Sequence, residues 1–353
     1  MSWFTRLSMR GRTMVVGGAA SAVLLTAAVA IPIPYVAVSP GLTYDVLGTV
    51  EGTQVISFTG DSVPAGADRT DTGAGHLNMT TISINDGITL FEGLGLWASG
   101  RFALAPREDY FPPDQTVEQV EAQNAQAFKD SQSAAEIAAL RYLKYPNVVY
   151  VGNIPDGSPS SGILQPQDRI VELDGTPITD FASLQAALAG TSPGQTVSVT
   201  VDRGGQNVTE KVTLGSNPAV GSQGVLGVGA QERPIAPFDI TISLERIGGP
   251  SAGLMFALGI IDRLSDQDLT GGRFIAGTGT IDADGNVGPI GGVLLKMITA
   301  REAGATVFLV PADNCAEALT QVPDGLQLVK VATLQDATTA LQTLRAGGTP
   351  PGC

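Results

Sequence analysis

Hydrophobic and polar positions divide the chain into stretches with different periods. Thr13 to Val38 carries no charge and is mostly Val, Ala, Leu and Gly until Pro32, which reads as one long apolar helix. From Thr49 to Asn85 apolar and polar positions alternate, so Thr53–Phe58 and His76–Ile84 read as strands on either side of a Gly/Asp-rich loop. Residues 88 to 104 concentrate apolar and aromatic side chains (Leu90, Phe91, Leu94, Leu96, Trp97, Phe102) and end at the turn signal Phe111-Pro112-Pro113. Their role is open. Between Val117 and Leu143 the apolar residues, among them Phe128, Ala135 and Ala138, recur at helical spacing, and Pro146 breaks the run. Short strands follow at Val148–Val151, around Ile170, at Val197–Arg203 and at Val208–Leu214, with a helix over Asp180–Ala189. Phe238 to Leu244 alternates cleanly as a strand, and Ala252 to Ile261 has no charged side chain, as a buried helix would. The chain closes with a buried strand at Val307–Val310, a helix over Asn314–Thr320, a strand from Leu326 and a helix from Leu334. A tail, 347–353, has a composition that predicts disorder.

This order of helices and strands predicts an α+β chain with more than one core, and its length permits that. Roughly 20 apolar residues cross a bilayer, and the first stretch supplies them. Arg6, Arg10 and Arg12 precede it, so residues 1–12 are expected on the cytoplasmic side, 13–35 in the membrane and the remainder outside. A cleaved signal peptide is the competing reading, because Ala28-Val29-Ala30 fits a small-x-small site. Both readings export the bulk of the chain.

The net charge of −14, with no basic stripe, argues against nucleic acid as a partner. Two cysteines, Cys315 and Cys353, are too few for a disulfide framework. Pairing them would tether the tail to a helix, and the expectation is that they stay apart. With His76 the only histidine, a Ser-His-Asp triad or a zinc site would have to use it, yet it lies on a strand-like edge without a motif. No metal is expected. Gly277-Thr278-Gly279-Thr280 lacks the third glycine of a dinucleotide loop and leads into a hairpin turn, so no cofactor is expected either.

The candidate chemistry lies in Gly248-Gly249-Pro250-Ser251-Ala252-Gly253. A serine in the first turn of a buried helix has free N–H groups and the positive end of the helix dipole beside its hydroxyl, which suits an oxyanion. Lys296 is one of five lysines and falls in the apolar segment Val293–Ala300. On a helix it shares a face with Val293, Ala300 and Ala303, so it points inward. Burial disfavours the charged amine, and a neutral lysine can take a proton from a serine. Helix punctuation at Ser251 and a lysine reaching for water are the plainer explanations of each segment alone.

Those residues also carry a resemblance. The block Gly249-Pro250-Ser251-Ala252-Gly253, the pair Thr278-Gly279 and the run Gly285-Asn286-Val287-Gly288-Pro289-Ile290-Gly291-Gly292 leading to Lys296 resemble the proteolytic domain of Lon-type serine peptidases. The similarity continues through Ala300-Arg301-Glu302-Ala303-Gly304 and Val307–Pro311. It implies Ser251 as nucleophile, Lys296 as general base, Thr278 as a hydroxyl that holds the lysine, and Gly249 and Pro250 as supports of the nucleophile loop. Where the family usually has Lys-Asp before Gly-Pro-Ser, Ile247 and Gly248 stand here.

The helix 117–143 is similar to one that Lon-type domains place ahead of the nucleophile loop. On that likeness 45–145 and 222–346 form one peptidase region interrupted by 146–216. That insert resembles a bacterial PDZ domain in Gly162-Ile163-Leu164-Gln165-Pro166-Gln167-Asp168-Arg169-Ile170, with Gln167 in place of the usual glycine. A PDZ groove adds a peptide as a strand to a sheet edge. Anchor, PDZ and Lon-type peptidase in this order resemble the YlbL-like family of membrane-anchored bacterial proteases. The resemblance implies a serine endopeptidase acting on exported or membrane-associated polypeptides; a catalytically silent PDZ scaffold at the cell surface is the rival. No nucleotide-binding Gly-x-x-x-x-Gly-Lys-Ser/Thr loop occurs in these residues, so substrates are expected to be flexible or already unfolded. Substrate identity, cleavage specificity and a homo-oligomeric state stay open.

Overall fold

The computed structural model describes residues 8–67, 75–244, 247–265 and 268–353. Part of the expected cytoplasmic segment, Arg6 included, lies outside the described residues, as do 68–74 of the Gly/Asp-rich loop. The first element, α1 (Met9–Ala30), is capped by the Ser8 side chain, which accepts from the Gly11 N–H, and it has no buried residue. It is the one helix, among the described residues, long and apolar enough to cross a membrane.

The chain then enters its main body. β1 (Tyr35–Asp45), β2 (Ile56–Thr59) and β3 (His76–Asn85) are followed by α2 (Leu90–Ala98), β4 (Ala103–Pro106) and α3 (Val117–Tyr142). A second body follows, built from β5 (Asn147–Val151), β6 (Arg169–Leu173), α4 (Phe181–Ala189), β7 (Thr196–Arg203), β8 (Gln206–Thr213) and β9 (Ala230–Pro234). β10 (Asp239–Ile242) returns the chain to the main body by pairing with β2, and α5 (Gly253–Leu264), β11 (Phe274–Gly277), α6 (Val293–Glu302), β12 (Val307–Pro311), α7 (Cys315–Ala318), β13 (Gln327–Val331) and α8 (Leu334–Arg345) complete it.

The main sheet is six-stranded in the order β13-β12-β11-β3-β1-β4. β13, β12, β11 and β3 run parallel, and β1 pairs antiparallel with both β3 and β4. β12 is buried on both faces, and its alternation divides two cores. Val307 and Leu309 join α5, α8 and α3 on one side, while Phe308 and Val310 join Val293, Met297 and Ala300 of α6 on the other. A strand covered on both faces reads as a continuous apolar run for this reason. α5 is the most deeply set helix, with every residue from Gly253 to Arg263 buried.

The second body has its own core, from Val149 to Leu226, under the sheet β8-β7-β6-β5-β9. That sheet does not stop at the expected end of the insert, residue 216: β9 pairs with β5 at 230–234. Its strand was missed because Ala230-Gln231-Glu232-Arg233-Pro234 does not alternate. The two ends of the body meet, since the Ile235 N–H donates to the Pro146 carbonyl at 2.9 Å.

The C-terminal tail departs from expectation. Cys315 and Cys353 form a disulfide, with Cα atoms 5.2 Å apart across a sequence separation of 38. The Lys330 N–H of β13 also donates to Pro351 O at 3.0 Å. Tail and α7 are neighbours because α7 packs on β12 while the tail lies along the adjacent β13, a proximity that sequence distance conceals. The expected free thiols and disordered tail are therefore corrected.

Candidate active site

The loop that carries Ser251 is held by α3. The Gly249 N–H donates to Asn124 O at 2.9 Å, and the buried Ser131 hydroxyl donates to Pro250 O at 3.0 Å. Gly253 permits this approach, because a Cβ there would lie 2.7 Å from Ser131 Oγ and 2.8 Å from Ile281 Cγ2. Ser251 itself falls just before α5 rather than in its first turn. Its carbonyl is taken by the Gly279 N–H (2.9 Å) and the Thr278 hydroxyl (3.0 Å), while the Met255 N–H turns to Ala252 O, so the helix starts one step later. Among the described residues, the N–H groups of Ala252 and Gly253 donate to no protein acceptor. They sit at the positive end of α5 next to the serine.

Lys296, in the second turn of α6, is 2% exposed. Its Nζ donates to Ser251 Oγ at 2.7 Å and to Thr278 Oγ1 at 3.0 Å. The Thr278 proton is committed to the Ser251 carbonyl, which turns the hydroxyl's lone pairs toward the lysine. No carboxylate pairs with Lys296 among the described residues. Burial alone therefore acts on the amine and lowers its pKa to about 8. Ser251, Lys296 and Thr278, picked out from three separate segments, are brought together; Gly249 and Pro250 hold the loop between α3 and the serine.

Ser251 and Lys296 lie in a cleft of about 710 Å3. Tyr44, Ile82 and Ile84 line it, as do Tyr110 and Phe111 from the segment before Pro112. The segment without an assigned role in the sequence thus supplies part of the cleft wall and, through β4, the edge of the main sheet. β11 pairs with β3 only over His76–Met79, so the same edge of β3 is uncovered by it from Thr80 to Asn85, beside the cleft. His76 is elsewhere, paired with Asp45 at 2.8 Å and packed on the Phe274 ring. Sequence reasoning missed Asn124 and Ser131. Polar residues on an amphipathic helix carry no local mark of a distant partner.

Residues 246–343 match the family described as the Lon protease (S16) C-terminal proteolytic domain, and residues 119–214 match the PDZ domain family. The first part of the PDZ match is α3, which packs on α5 in the main body. Lon protease 2 of Bacillus subtilis (strain 168) is 31% identical over 158 residues, which is 40% of this chain and 28% of that protein. Lon protease of Heliobacterium modesticaldum is 40% identical over 79 residues, 22% of this chain and 9% of its own. The chain therefore spans under a third of the length of these relatives. Among solved structures, the PDZ domain of an SdrC-like protein from Listeria innocua aligns at 22% identity and a TM-score of 0.22, covering 24% of this chain and 93% of that one. By the two family matches, this chain combines a PDZ domain with a Lon-type proteolytic domain of serine peptidases.

Proposed function

We propose that this pairing of a PDZ domain with a Lon-type proteolytic domain works as a serine endopeptidase held to a membrane by α1, with Ser251 as nucleophile and Lys296 as general base. The observation that carries the reading is the 2.7 Å hydrogen bond between a buried, carboxylate-free lysine and the serine hydroxyl. With a pKa of about 8, about a tenth of Lys296 is neutral at pH 7. The neutral amine takes the Ser251 proton as Oγ attacks the scissile carbonyl carbon. The carbonyl oxygen becomes an oxyanion, for which the Ala252 and Gly253 N–H groups are the available donors. The lysine ammonium then protonates the leaving amine, the C–N bond breaks and an acyl-serine remains. Water, deprotonated by the same lysine, hydrolyses it and returns the serine. Thr278 keeps the amine aimed without neutralising it.

Several features support the remaining parts of the reading. Arg10 and Arg12 at the start of α1 favour a cytoplasmic N-terminus. A disulfide that ties the tail to α7 suits an oxidising compartment on the other side. The PDZ domain offers a sheet edge for an extended peptide, and the uncovered edge of β3 offers a second beside Ser251. The full chain should label at Ser251 with a serine-directed phosphonate, and Lys296→Ala should abolish labelling while leaving the circular-dichroism spectrum unchanged. Equal labelling of the lysine variant would sink the dyad.

A further inference from the structure

α2 presents an apolar face that the protein does not cover. Leu90 is 43% exposed, Phe91 48%, Leu94 48% and Trp97 63%. At helical spacing Leu90, Leu94 and Trp97 line one stripe, with Phe91 beside it. The opposite side is fixed. Gly93 is buried so closely against Ile33 and Ile88 that a Cβ would meet their Cδ1 atoms at 3.3 and 3.4 Å. Glu92, the helix's one charge, is turned back onto its own N-cap by a 2.9 Å bond from the Thr89 N–H.

The position of this helix names what covers it. Thr89, its N-cap, bridges to Pro32, and the Ile33 N–H donates to Ile88 O at 2.9 Å. α1 ends at Ala30, so α2 begins beside the point where the chain leaves α1, and the two helices touch. Ile31 and Tyr35, both exposed, extend the apolar patch between them. If α1 spans a bilayer, this patch is set at the bilayer surface. There a Trp and a Tyr are favoured, and a helix with an apolar face lies in the plane, roughly 5–10 Å into the headgroup boundary.

We infer that α2 is an interfacial helix whose Leu90, Phe91, Leu94 and Trp97 insert into the lipid surface on the non-cytoplasmic side. The inference rests on the membrane-anchored reading of α1. It gives the catalytic body a second attachment, a side-on contact about one helix long next to the exit of the anchor, so that the body is held against the lipid instead of swivelling on one strand. Through β4, which follows α2 and pairs with β1, the same contact fixes the orientation of the main sheet.

The chain has two tryptophans. Full-length Trp3→Phe protein therefore reports on Trp97 alone. Reconstituted into phosphatidylcholine vesicles, it should float with them. Its fluorescence should fall about twofold with lipids brominated near the headgroup and should be shielded from iodide, as an interfacial ring requires. A Leu90→Asn/Leu94→Asn version should lose the bromine quenching and regain iodide access, with phosphonate labelling of Ser251 in detergent unchanged. Protein that fails to float overturns the anchor and the inference together. Protein that floats with Trp97 open to iodide overturns the interfacial helix alone, as does quenching that survives the double substitution. Iodide shielding without bromine quenching would mean that another protein surface covers α2, and it also overturns the proposal.

Discussion

At the residue scale, Lys296 is where stability and reactivity oppose each other. Burial without a counter-charge lowers its pKa to about 8 from an unfolded value near 10.5. The fraction of neutral amine grows about tenfold between pH 7 and 9, so kcat/KM on a small unstructured peptide should rise by that factor and level above. His76→Gln should leave this profile unchanged, because His76 pairs with Asp45 away from the cleft. A step near the histidine range that disappears in the variant would contradict the lysine base. For stability the sign is opposite to that of a salt-bridged lysine. Between the folded and unfolded pKa values the unfolded chain binds the extra proton, so the desolvation cost is full below about pH 8 and fades as pH rises toward 10.5. Lys296→Met should therefore be inactive yet more stable than the parent at pH 7 by about 2 kcal/mol, after allowance for the two hydrogen bonds lost. The gap should close as chemical denaturation is repeated at alkaline pH.

At the scale of elements, α3 and α5 form the vice around the Ser251 loop. Ser131 and Asn124 of α3 hold the carbonyl of Pro250 and the N–H of Gly249, and Gly253 lets the two helices close on each other. Adding one methyl group at Gly253 pushes on both Ser131 and Ile281. Gly253→Ala should lose about 1–3 kcal/mol of stability, as overpacked sites do, and should slow phosphonate labelling more than it weakens substrate binding. A variant of wild-type stability and labelling rate would show that the contact has slack. The tail is a second element whose place depends on a partner. Breaking the disulfide by Cys353→Ser releases a loop closed over a separation of 38 residues and should cost about 2–4 kcal/mol in urea unfolding under oxidising conditions. Labelling at Ser251 should persist, since neither cysteine lines the cleft.

At the scale of the whole molecule, two bodies are joined through adjacent strand ends. The inserted body begins after Pro146 and ends before Ile235, and a 2.9 Å hydrogen bond holds those two residues together. A short Gly/Ser linker can therefore replace 147–234 without stretching the main body. Such a chain should still react at Ser251 with a small phosphonate but cut protein substrates poorly, measured as the ratio of peptide to protein cleavage rates. An unchanged ratio would move recognition to the cleft wall formed by Tyr110 and Phe111. On the proposed function, and with α2 at the lipid surface, one body would capture a strand and the other would cut it close to the membrane.

Much of this was legible in the sequence because it depends on local pattern. The apolar run of α1, the uncharged α5, the helical period of α3 and the double-sided burial of β12 follow from side-chain order alone, since hydrophobic periodicity is a property of neighbours in the chain. Ser251 and Lys296 stood out for a related reason: a serine after Gly-Gly-Pro and a lysine among apolar residues are each out of keeping with their surroundings. The tertiary structure decided whatever rests on contacts between distant segments. It set Lys296 Nζ 2.7 Å from Ser251 Oγ, brought Ser131 to Pro250, carried β9 back to β5 and laid Cys353 beside Cys315. It also left the apolar stripe of α2 outside all three cores and beside the end of α1, although by composition that stripe reads like any buried helix. The sequence states which side chains need partners; only the closing of loops between far segments determines which partners they find.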